Sequence, residues 1–135
     1  MLNTSWANPH GLSNKQNKTT IEDMCRLCRN ALQNTEIRKI VNTKSYSCKV
    51  ETYFGNTAES RTMSWENTNR MLWRGWNGIK TGVTPNAGPC LAASCQHAAE
   101  GKDYEFLVVI ANCANMSQRW EEVQLIVEWA IKNEL

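Results

Sequence analysis

The sequence predicts an α+β fold: an antiparallel sheet of about three to four strands, one N-terminal helix, and a C-terminal helix that covers the sheet. Three observations lead to this prediction. Apolar residues recur at helical spacing directly after Thr20, which can cap a helix. Segments rich in β-forming residues and joined by short connections occupy the middle of the chain. A second helical stripe of apolar residues lies near its end.

The composition fits one small globular domain and argues against several other classes of protein. The length of 135 residues is usual for a domain, and six Trp with 41% hydrophobic residues can form a core, which excludes disorder as the main state. The net charge of +2 is too small to indicate a nucleic acid or an acidic membrane surface as a partner. The longest apolar run, from Phe106 to Ala111, is far shorter than the roughly 20 residues of a membrane span. We therefore expect no transmembrane segment, and the first residues also lack the pattern of a signal peptide.

The N-terminal part of the chain begins with a polar, turn-rich segment, residues 1–19, and continues into the first helix. Thr20 can cap this helix, and Asp23 stands at its third position, where it can face the free backbone amides. Residues 21–33 are predicted as an amphipathic helix from the helical spacing of Ile21, Met24, Leu27, Cys28, Ala31 and Leu32.

The middle of the chain predicts strands. A half-buried strand is predicted over residues 46–52, where apolar and polar residues alternate. Residues 55–70 are predicted as a loop because they are mostly polar, and a short apolar cluster begins at Met71. Short connections favour antiparallel pairing of three further strands, predicted over residues 78–83, 90–95 and 105–113.

The last element is predicted as a helix that Ser117 caps. One apolar stripe on this helix is suited to covering a face of the sheet. Its members are Trp120, Val123, Ile126, Val127, Ala130 and Ile131.

The six cysteines allow two interpretations of the pair Cys25 and Cys28, which forms a CxxC sequence. The pair could be half of a zinc site or a redox pair, but a zinc site usually needs a second pair, and none follows. Both residues lie inside the apolar pattern of the first helix, so we favour core packing by about four to one. We predict neither a metal nor a cofactor.

The triplet Lys80-Thr81-Gly82 lies on a predicted strand and has the chemistry of a carboxylate site. The lysine ammonium is a compact cation, and the threonine hydroxyl can hydrogen-bond the same carboxylate. A glycine lets the backbone of a ligand approach closely. Alone, three residues carry little weight, because a solvated lysine beside a β-forming threonine is common on strands.

The context of the triplet is more specific. Residues 3–12, with Asn8-Pro9-His10-Gly11 among them, precede the capped helix, and residues 67–72, 76–84 and 87–91 follow in order. Together these segments resemble the D-alanyl-D-alanine carboxypeptidase family of serine peptidases, the low-molecular-mass penicillin-binding proteins related to serine β-lactamases. The resemblance covers nearly the whole chain. It implies a partial β-lactamase/transpeptidase-like fold and a family that usually works outside the cytoplasm.

The resemblance also implies roles for particular residues. Lys80 and Thr81 would hold the carboxylate of a terminal D-alanine, with Gly82 beside them. The backbone amide of Val83 would form half of the oxyanion hole, which stabilises the transition state of acyl transfer. Arg119 matches a family arginine near the same carboxylate, although the residues 96–102 look like an insertion before it.

Two of the family's three motifs are absent. No serine is followed three residues later by lysine, as S-x-x-K requires, and none is followed two residues later by asparagine, as S-x-N requires. Residues 1–135 would then be the C-terminal portion of such a domain: a fragment, inactive alone. The alternatives are half of a split enzyme completed by a partner chain, a non-catalytic binding or structural protein, and, more weakly, a thiol- or zinc-dependent protein. The strand from Phe106 to Ala111 would be an apolar sheet edge that pairs with the missing half.

Several other side chains are given structural roles. His10 is interpreted as part of a turn, and His97 as an exposed residue at a strand end. Core or rim packing beneath the site strand is favoured over a ligand platform for three tryptophans, Trp65, Trp73 and Trp76. Formal glycosylation acceptors occur by chance and need a secretory route; they are Asn3, Asn17 and Asn115.

Overall fold

The computed structural model describes residues 1–55 and 57–135 and has the predicted α+β architecture. A 3-10 helix, Arg70–Arg74, precedes the third strand. The α-helices are α1 (Ile21–Ala31), α2 (Thr35–Val41) and α3 (Gln118–Glu134). The strands are β1 (Ser45–Phe54), β2 (Thr57–Glu66), β3 (Asn77–Thr84), β4 (Gly88–Ala99) and β5 (Lys102–Ile110).

The strands form two antiparallel sheets. β3, β4 and β5 form a three-stranded sheet in that order, and β1 pairs with β2 as a separate ribbon. In the larger sheet Thr81 lies opposite Leu91, and Leu91 lies opposite Ile110. β4 is therefore the central strand, and both β3 and β5 are outer strands within the described residues.

The main core lies between this sheet and α3. Because side chains alternate between the faces of a strand, every second residue of β4 and β5 points towards α3. These residues, together with Met71, enclose the apolar stripe of α3. The buried members are Leu91, Ala93, Cys95, Val108, Ile110, Trp120, Val123 and Val127.

The opposite face of the sheet carries a second contact with the helices. Glu105 lies on the face of β5 opposite Phe106, and its carboxylate accepts hydrogen bonds from the Arg38 guanidinium of α2 at 2.7 and 3.4 Å. α1 contacts β5 as well, and its Cys28 is buried. The sheet is thus covered by α3 on one face and by the N-terminal helices on the other.

The prediction of a loop over residues 55–70 is wrong, because Thr57–Glu66 forms β2. Most of this strand is exposed on both faces, so the sequence shows no alternation of apolar and polar residues. Cross-strand pairs stabilise the ribbon instead. The Tyr46 and Trp65 rings stack at 6.2 Å, and the Ser47 and Ser64 hydroxyls hydrogen-bond at 2.8 Å.

Helix α2 was not predicted. It has seven residues, none of them buried, so it offers too short a segment for a periodic pattern. The signal it does carry is a cap: the Asn34 side chain accepts hydrogen bonds from the amides of Glu36 and Ile37. The helix ends at Val41, whose carbonyl group lies against β3.

The start of α3 differs from the prediction. Ser117 makes no capping hydrogen bond with its side chain. The Asn115 amide oxygen accepts from the backbone amides of Ser117 and Gln118 instead, both at 3.0 Å, in an Asx turn. Ile126 also departs from the predicted stripe, since it is 43% exposed at the border of the buried face.

The segment 96–102, interpreted above as an insertion, lengthens the β4–β5 hairpin. β4 continues to Ala99 instead of ending at residue 95, and β5 begins at Lys102 and ends at Ile110. Glu100 and Gly101 form the turn with positive φ angles of 52° and 75°. This segment therefore lies at a tip of the sheet, away from the hydrogen bond between Arg119 of α3 and Gly82 of β3.

The N-terminal segment is held to α1 through Asp23. This carboxylate is 1% exposed and accepts hydrogen bonds from the Asn3 amide at 2.9 Å and the Thr4 hydroxyl at 2.7 Å. Asp23 thus binds residues 3 and 4 instead of the free amides of its own helix. Thr20 caps α1 as predicted, with its hydroxyl accepting from the Asp23 amide.

All six cysteines are free thiols, and Cys28, Cys95 and Cys113 are buried. Within the described chain no group of three or more His, Cys, Asp or Glu side chains is arranged to hold a metal ion. Residues 1–55 and 57–135 also contain no helix with the length and apolar character needed to cross a bilayer.

Candidate functional site

The triplet Lys80-Thr81-Gly82 lies on β3, an outer strand of the main sheet. Lys80 and Gly82 are exposed, and Thr81 is half-buried. None of the ion pairs in the described part of the chain involves Lys80, whose ammonium group donates to the Thr81 carbonyl. The lysine charge is therefore open to an external anion.

Gly78 fixes the position of β3 against α2. Its amide donates to the Asn42 side chain at 2.7 Å, and a Cβ atom at this position would overlap the carbonyl group of Val41. The pairing of β3 with β4 also shifts register between Gly78 and Lys80. A glycine is thus required where the end of α2 meets the strand two residues before the site lysine.

Gly82 has the opposite surroundings. A Cβ atom there would have no neighbour within 4 Å, so the space beside the strand is open. Val83 follows and is 56% exposed. Nothing within the described residues blocks the approach of an extended ligand to this part of β3.

Thr81 has a partner that sequence reasoning did not assign. The Thr81 and Thr68 hydroxyl oxygens lie 2.6 Å apart, so the two hydroxyls hydrogen-bond each other. Thr68 stands within residues 67–72, a segment that carries the family resemblance but no assigned role. Thr68 lies 13 residues before Thr81 in the sequence. The two residues meet only in the fold, because the start of the 3-10 helix packs beside β3.

Arg119 lies behind this strand and is 5% exposed. One of its terminal nitrogens donates to the Gly82 and Cys90 carbonyls at 3.4 and 3.3 Å. The guanidinium carbon lies 4.3 Å from the centre of the Trp120 ring. Burial lowers the pKa of Arg119, and no carboxylate among the described residues pairs with it.

The Nε atom of Arg119 also has no hydrogen-bond partner among the described residues. A buried cation without a counterion is costly. An anion bound near β3 would therefore be stabilised by Arg119 as well as by Lys80. The structure thus brings four predicted site residues to one region: Lys80, Thr81, Gly82 and, through its carbonyl contact, Arg119.

Burial raises the pKa of the Cys25 thiol. Burial also raises the pKa of Cys28, which is more deeply buried, and the neighbouring Cys25 raises it further. Raised pKa values disfavour the thiolates that metal binding and redox chemistry need. Burial likewise raises the pKa of Cys113 to about 11, with a further contribution from a hydrogen bond to Glu122. The thiols of Cys25, Cys28 and Cys113 therefore fit a role in core packing better than a role in metal binding or redox chemistry.

The remaining candidates lie outside this region. His10 is exposed in its turn, and its Nδ1 accepts from the Leu12 amide at 3.2 Å. His97 is half-buried against the Phe106 ring, with 6.4 Å between the ring centres. Trp76 packs on the core as predicted, whereas Trp65 and Trp73 are 48% and 49% exposed.

A cleft of about 250 Å³ lies at the other end of β3 and is separate from the triplet. Its wall includes Arg74, Trp76, His97 and Glu128, and none of the residues from Lys80 to Val83 lines it. The region around the triplet is accordingly an open strand edge, not an enclosed pocket.

Comparison with known proteins gives a consistent result. The family model for D-alanyl-D-alanine carboxypeptidases matches residues 1–112. A D-alanyl-D-alanine carboxypeptidase of Streptomyces sp. (strain K15) is 36% identical over 92 residues, which are 66% of this chain and 31% of that protein. The D-alanyl-D-alanine carboxypeptidase DacF of Bacillus subtilis (strain 168) is 28% identical over 132 residues, or 96% of this chain and 31% of that protein.

Solved structures extend the similarity to the fold. The crystal structure of the Streptomyces K15 DD-transpeptidase superposes with a TM-score of 0.77 at 29% identity, covering 96% of this chain and 48% of that chain. The predicted partial transpeptidase-like fold is therefore confirmed. The chain spans about a third of the curated relatives and about half of the solved chain.

Proposed function

Because the chain belongs to the D-alanyl-D-alanine carboxypeptidase family, we propose that it provides the carboxylate-binding part of a D-alanyl peptide site. One observation carries the proposal: Lys80 and Thr81 stand next to each other on an open strand edge, with the buried and uncompensated Arg119 behind them. Three groups that favour an anion thus lie on or behind one short stretch of β3, and no carboxylate of the described chain pairs with Lys80 or Arg119.

Each group has a distinct role in this proposal. The Lys80 ammonium and the Thr81 hydroxyl bind the terminal carboxylate of the peptide. Gly82 lets the peptide backbone lie close to β3, where a Cβ would have no neighbour within 4 Å. The Val83 amide donates to the carbonyl oxygen as negative charge develops on it. Arg119 strengthens the positive potential from below the strand.

Catalysis needs groups that the sequence of this chain does not contain. It has no serine in an S-x-x-K or S-x-N pattern. In the proposed reaction a serine of a complementary segment attacks the carbonyl carbon of the penultimate D-alanine. As the C–N bond breaks, the proton lost by the serine hydroxyl passes to the leaving amine, and D-alanine departs. Water then hydrolyses the acyl ester, which releases the shortened peptide as its acid and restores the serine hydroxyl. Residues 1–135 alone are proposed to bind and not to react.

An NMR titration of the chain with N-acetyl-D-alanyl-D-alanine tests the binding role. We expect Lys80→Ala to weaken binding by about tenfold, because a charged hydrogen bond is lost. Lys49→Ala is the matched control, since Lys49 is an exposed strand lysine on the separate ribbon. Equal affinities of wild type, Lys80→Ala and Lys49→Ala would contradict the proposal.

Labelled penicillin tests the catalytic half of the proposal. The chain alone is expected to remain unlabelled, because penicillin acylates the nucleophile of this family. Covalent labelling of the isolated chain would show that it contains its own nucleophile.

The second candidate is a half of a split enzyme, and the outer strand β5 favours it. β5 pairs only with β4 in the described structure, and Leu107 and Val109, next to its unpaired edge, are half-buried. An unpaired apolar edge is a template for another strand. A complementary chain would pair along residues 106–111, the last of which lies just beyond the end of β5 at Ile110.

Co-expression separates the split enzyme from a non-catalytic protein. If a complementary segment that carries S-x-x-K and S-x-N co-purifies and restores penicillin labelling, the split enzyme is supported. If no such segment restores labelling while the D-alanyl peptide still binds, the chain is a binding protein that keeps the fold.

A further inference from the structure

The segment that carries Thr68 is built as a rigid support beside β3. The Asn67 amide donates to the Lys44 carbonyl at 2.8 Å, and its side chain donates to the Thr43 carbonyl at 3.0 Å. The oxygen of that side chain accepts from the Asn69 amide at 2.9 Å. Asn69, 2% exposed, then caps the 3-10 helix through the Met71 amide at 3.1 Å.

These bonds fix the backbone on both sides of Thr68. Thr68 itself is exposed, yet its hydroxyl points at the Thr81 hydroxyl with 2.6 Å between the oxygens. The hydrogen bonds of Asn67 and Asn69 thus hold the backbone around Thr68, and the Thr68 side chain hydrogen-bonds to Thr81. This placement indicates that Thr68 acts on a ligand through Thr81.

The direction of this hydrogen bond follows from the number of protons. A hydroxyl has one proton to donate and two lone pairs to accept with. If Thr81 donates its proton to a bound carboxylate, it can remain bonded to Thr68 only as the acceptor. Thr68 must then donate, and donation into the Thr81 oxygen polarises the outward O–H bond.

We propose that Thr68 is a positioning residue that donates to the Thr81 hydroxyl and so presents the Thr81 proton to the ligand carboxylate. The inference rests on the proposed carboxylate-binding function. It adds a basis for selectivity: a Thr81 hydroxyl fixed as a donor suits an acceptor-only carboxylate better than a carboxamide, which also carries N–H donors.

A double-mutant cycle on the full chain tests this role. The two probes are N-acetyl-D-alanyl-D-alanine and the same dipeptide with a C-terminal carboxamide, each titrated by NMR. Thr68→Val removes the hydroxyl and keeps the branched shape, whereas Thr68→Ser keeps the hydroxyl. Both variants are compared with wild type and combined with Thr81→Val.

We expect Thr68→Val to weaken binding of the acid probe by about three- to tenfold, the usual effect of one hydrogen bond. Binding of the carboxamide should change less than twofold, so the preference for the acid falls. Thr68→Ser should bind like wild type. In the Thr81→Val background, Thr68→Val should have no further effect, because its route to the ligand is gone.

Two results would overturn the inference while leaving the proposed function in place: equal weakening of both probes, or an effect of Thr68→Val that persists without the Thr81 hydroxyl. The proposed function itself fails in a different way. In that case wild type shows no preference for the acid probe and Lys80→Ala changes nothing. A thermal unfolding midpoint of Thr68→Val equal to that of wild type confirms that the variant folds.

Discussion

Gly78 and Gly82 lie four residues apart on β3 and face different surroundings. A side chain at Gly78 would overlap the backbone of Val41, which cannot move aside as a flexible side chain could. A side chain at Gly82 would project into open space. The same residue type therefore serves the packing of α2 at one position and access to the site at the other.

We predict that Gly78→Ala destabilises the chain by about 1–3 kcal/mol, through overlap with the end of α2. Gly82→Ala is the matched control and should change the free energy of unfolding by less than about 0.5 kcal/mol. Urea denaturation of both variants measures the difference. Equal losses of stability would show that the contact between Gly78 and Val41 does not constrain the strand.

Asp23 gives stability a dependence on pH. The Thr4 hydroxyl hydrogen bond is the largest influence that lowers the pKa of Asp23, and it prevails over the raising effect of burial. A carboxyl whose pKa is lowered by folding stabilises the native state when it is ionised in both states, above the unfolded pKa. That stabilisation is lost as the pH falls through the lower, folded pKa.

We therefore predict that stability declines below about pH 4 and that Asp23→Asn reduces this decline. Glu22→Gln is the control, since the Glu22 side chain is 72% exposed on the same turn. Thermal unfolding between pH 3 and pH 7 measures the effect. A pH profile of Asp23→Asn that parallels wild type would assign the decline to other carboxylates.

The two faces of α3 differ in exposure. Val123 is fully buried against the sheet, while Leu125 and Trp129 are 61% and 58% exposed. Only the buried face contributes to the core, which it forms with β4 and β5. The stability of the chain should therefore depend on the contact of α3 with the sheet and not on the apolar content of the helix as a whole.

We predict that Leu91→Ala, on the central strand, costs about 2–5 kcal/mol, because it leaves a cavity under α3. Leu125→Ala is the same change on the outer face of α3 and should stay within about 0.5 kcal/mol of wild type. Urea denaturation compares the two. A comparable cost at Leu125 would mean that the outer face of α3 is covered in solution.

The elements differ in how far the sequence could predict them. α1 and α3 were predicted because each has apolar residues at helical spacing, although Ile21 and Leu27 of α1 are exposed. β3 to β5 were predicted because they are apolar and closely connected. β2 was missed because its two faces are equally exposed, and α2 because seven residues without a buried side chain leave no pattern. Asn115 takes the place of Ser117 in capping because its side chain reaches forward to the amides of Ser117 and Gln118.

The site residues also differ in how far the sequence could predict their contacts. Lys80-Thr81-Gly82 is contiguous, so its chemistry can be read along the chain. Thr68 reaches Thr81 only through the fold, and the contact of Arg119 with the Gly82 carbonyl depends on how α3 crosses the sheet. No local pattern encodes either contact.

At the scale of the whole molecule, the sheet has two outer strands with different properties. β3 presents polar and charged groups, whereas the apolar residues of β5 are buried or half-buried beside an edge that pairs with no strand in the described structure. β4 separates the two edges. A second chain can therefore pair with β5 without covering Lys80.

We predict that the isolated chain self-associates with rising concentration, because the β5 edge pairs with another copy when no complement is present. Size-exclusion chromatography across a range of concentrations should show a species larger than the 15.4 kDa monomer. Addition of a complementary segment should return the chain to a defined complex. Elution as a monomer at every concentration would contradict the prediction.

The three buried thiols make the stability of the fold measurable site by site. Cys28 lies on the buried side of α1, Cys95 on the central strand and Cys113 before α3, and burial raises the pKa of each. Since only the thiolate reacts quickly, alkylation at neutral pH requires the surrounding structure to open. The rate at each cysteine therefore reports the free energy of opening for that region. Differences among the three rates would show which face of the sheet separates first.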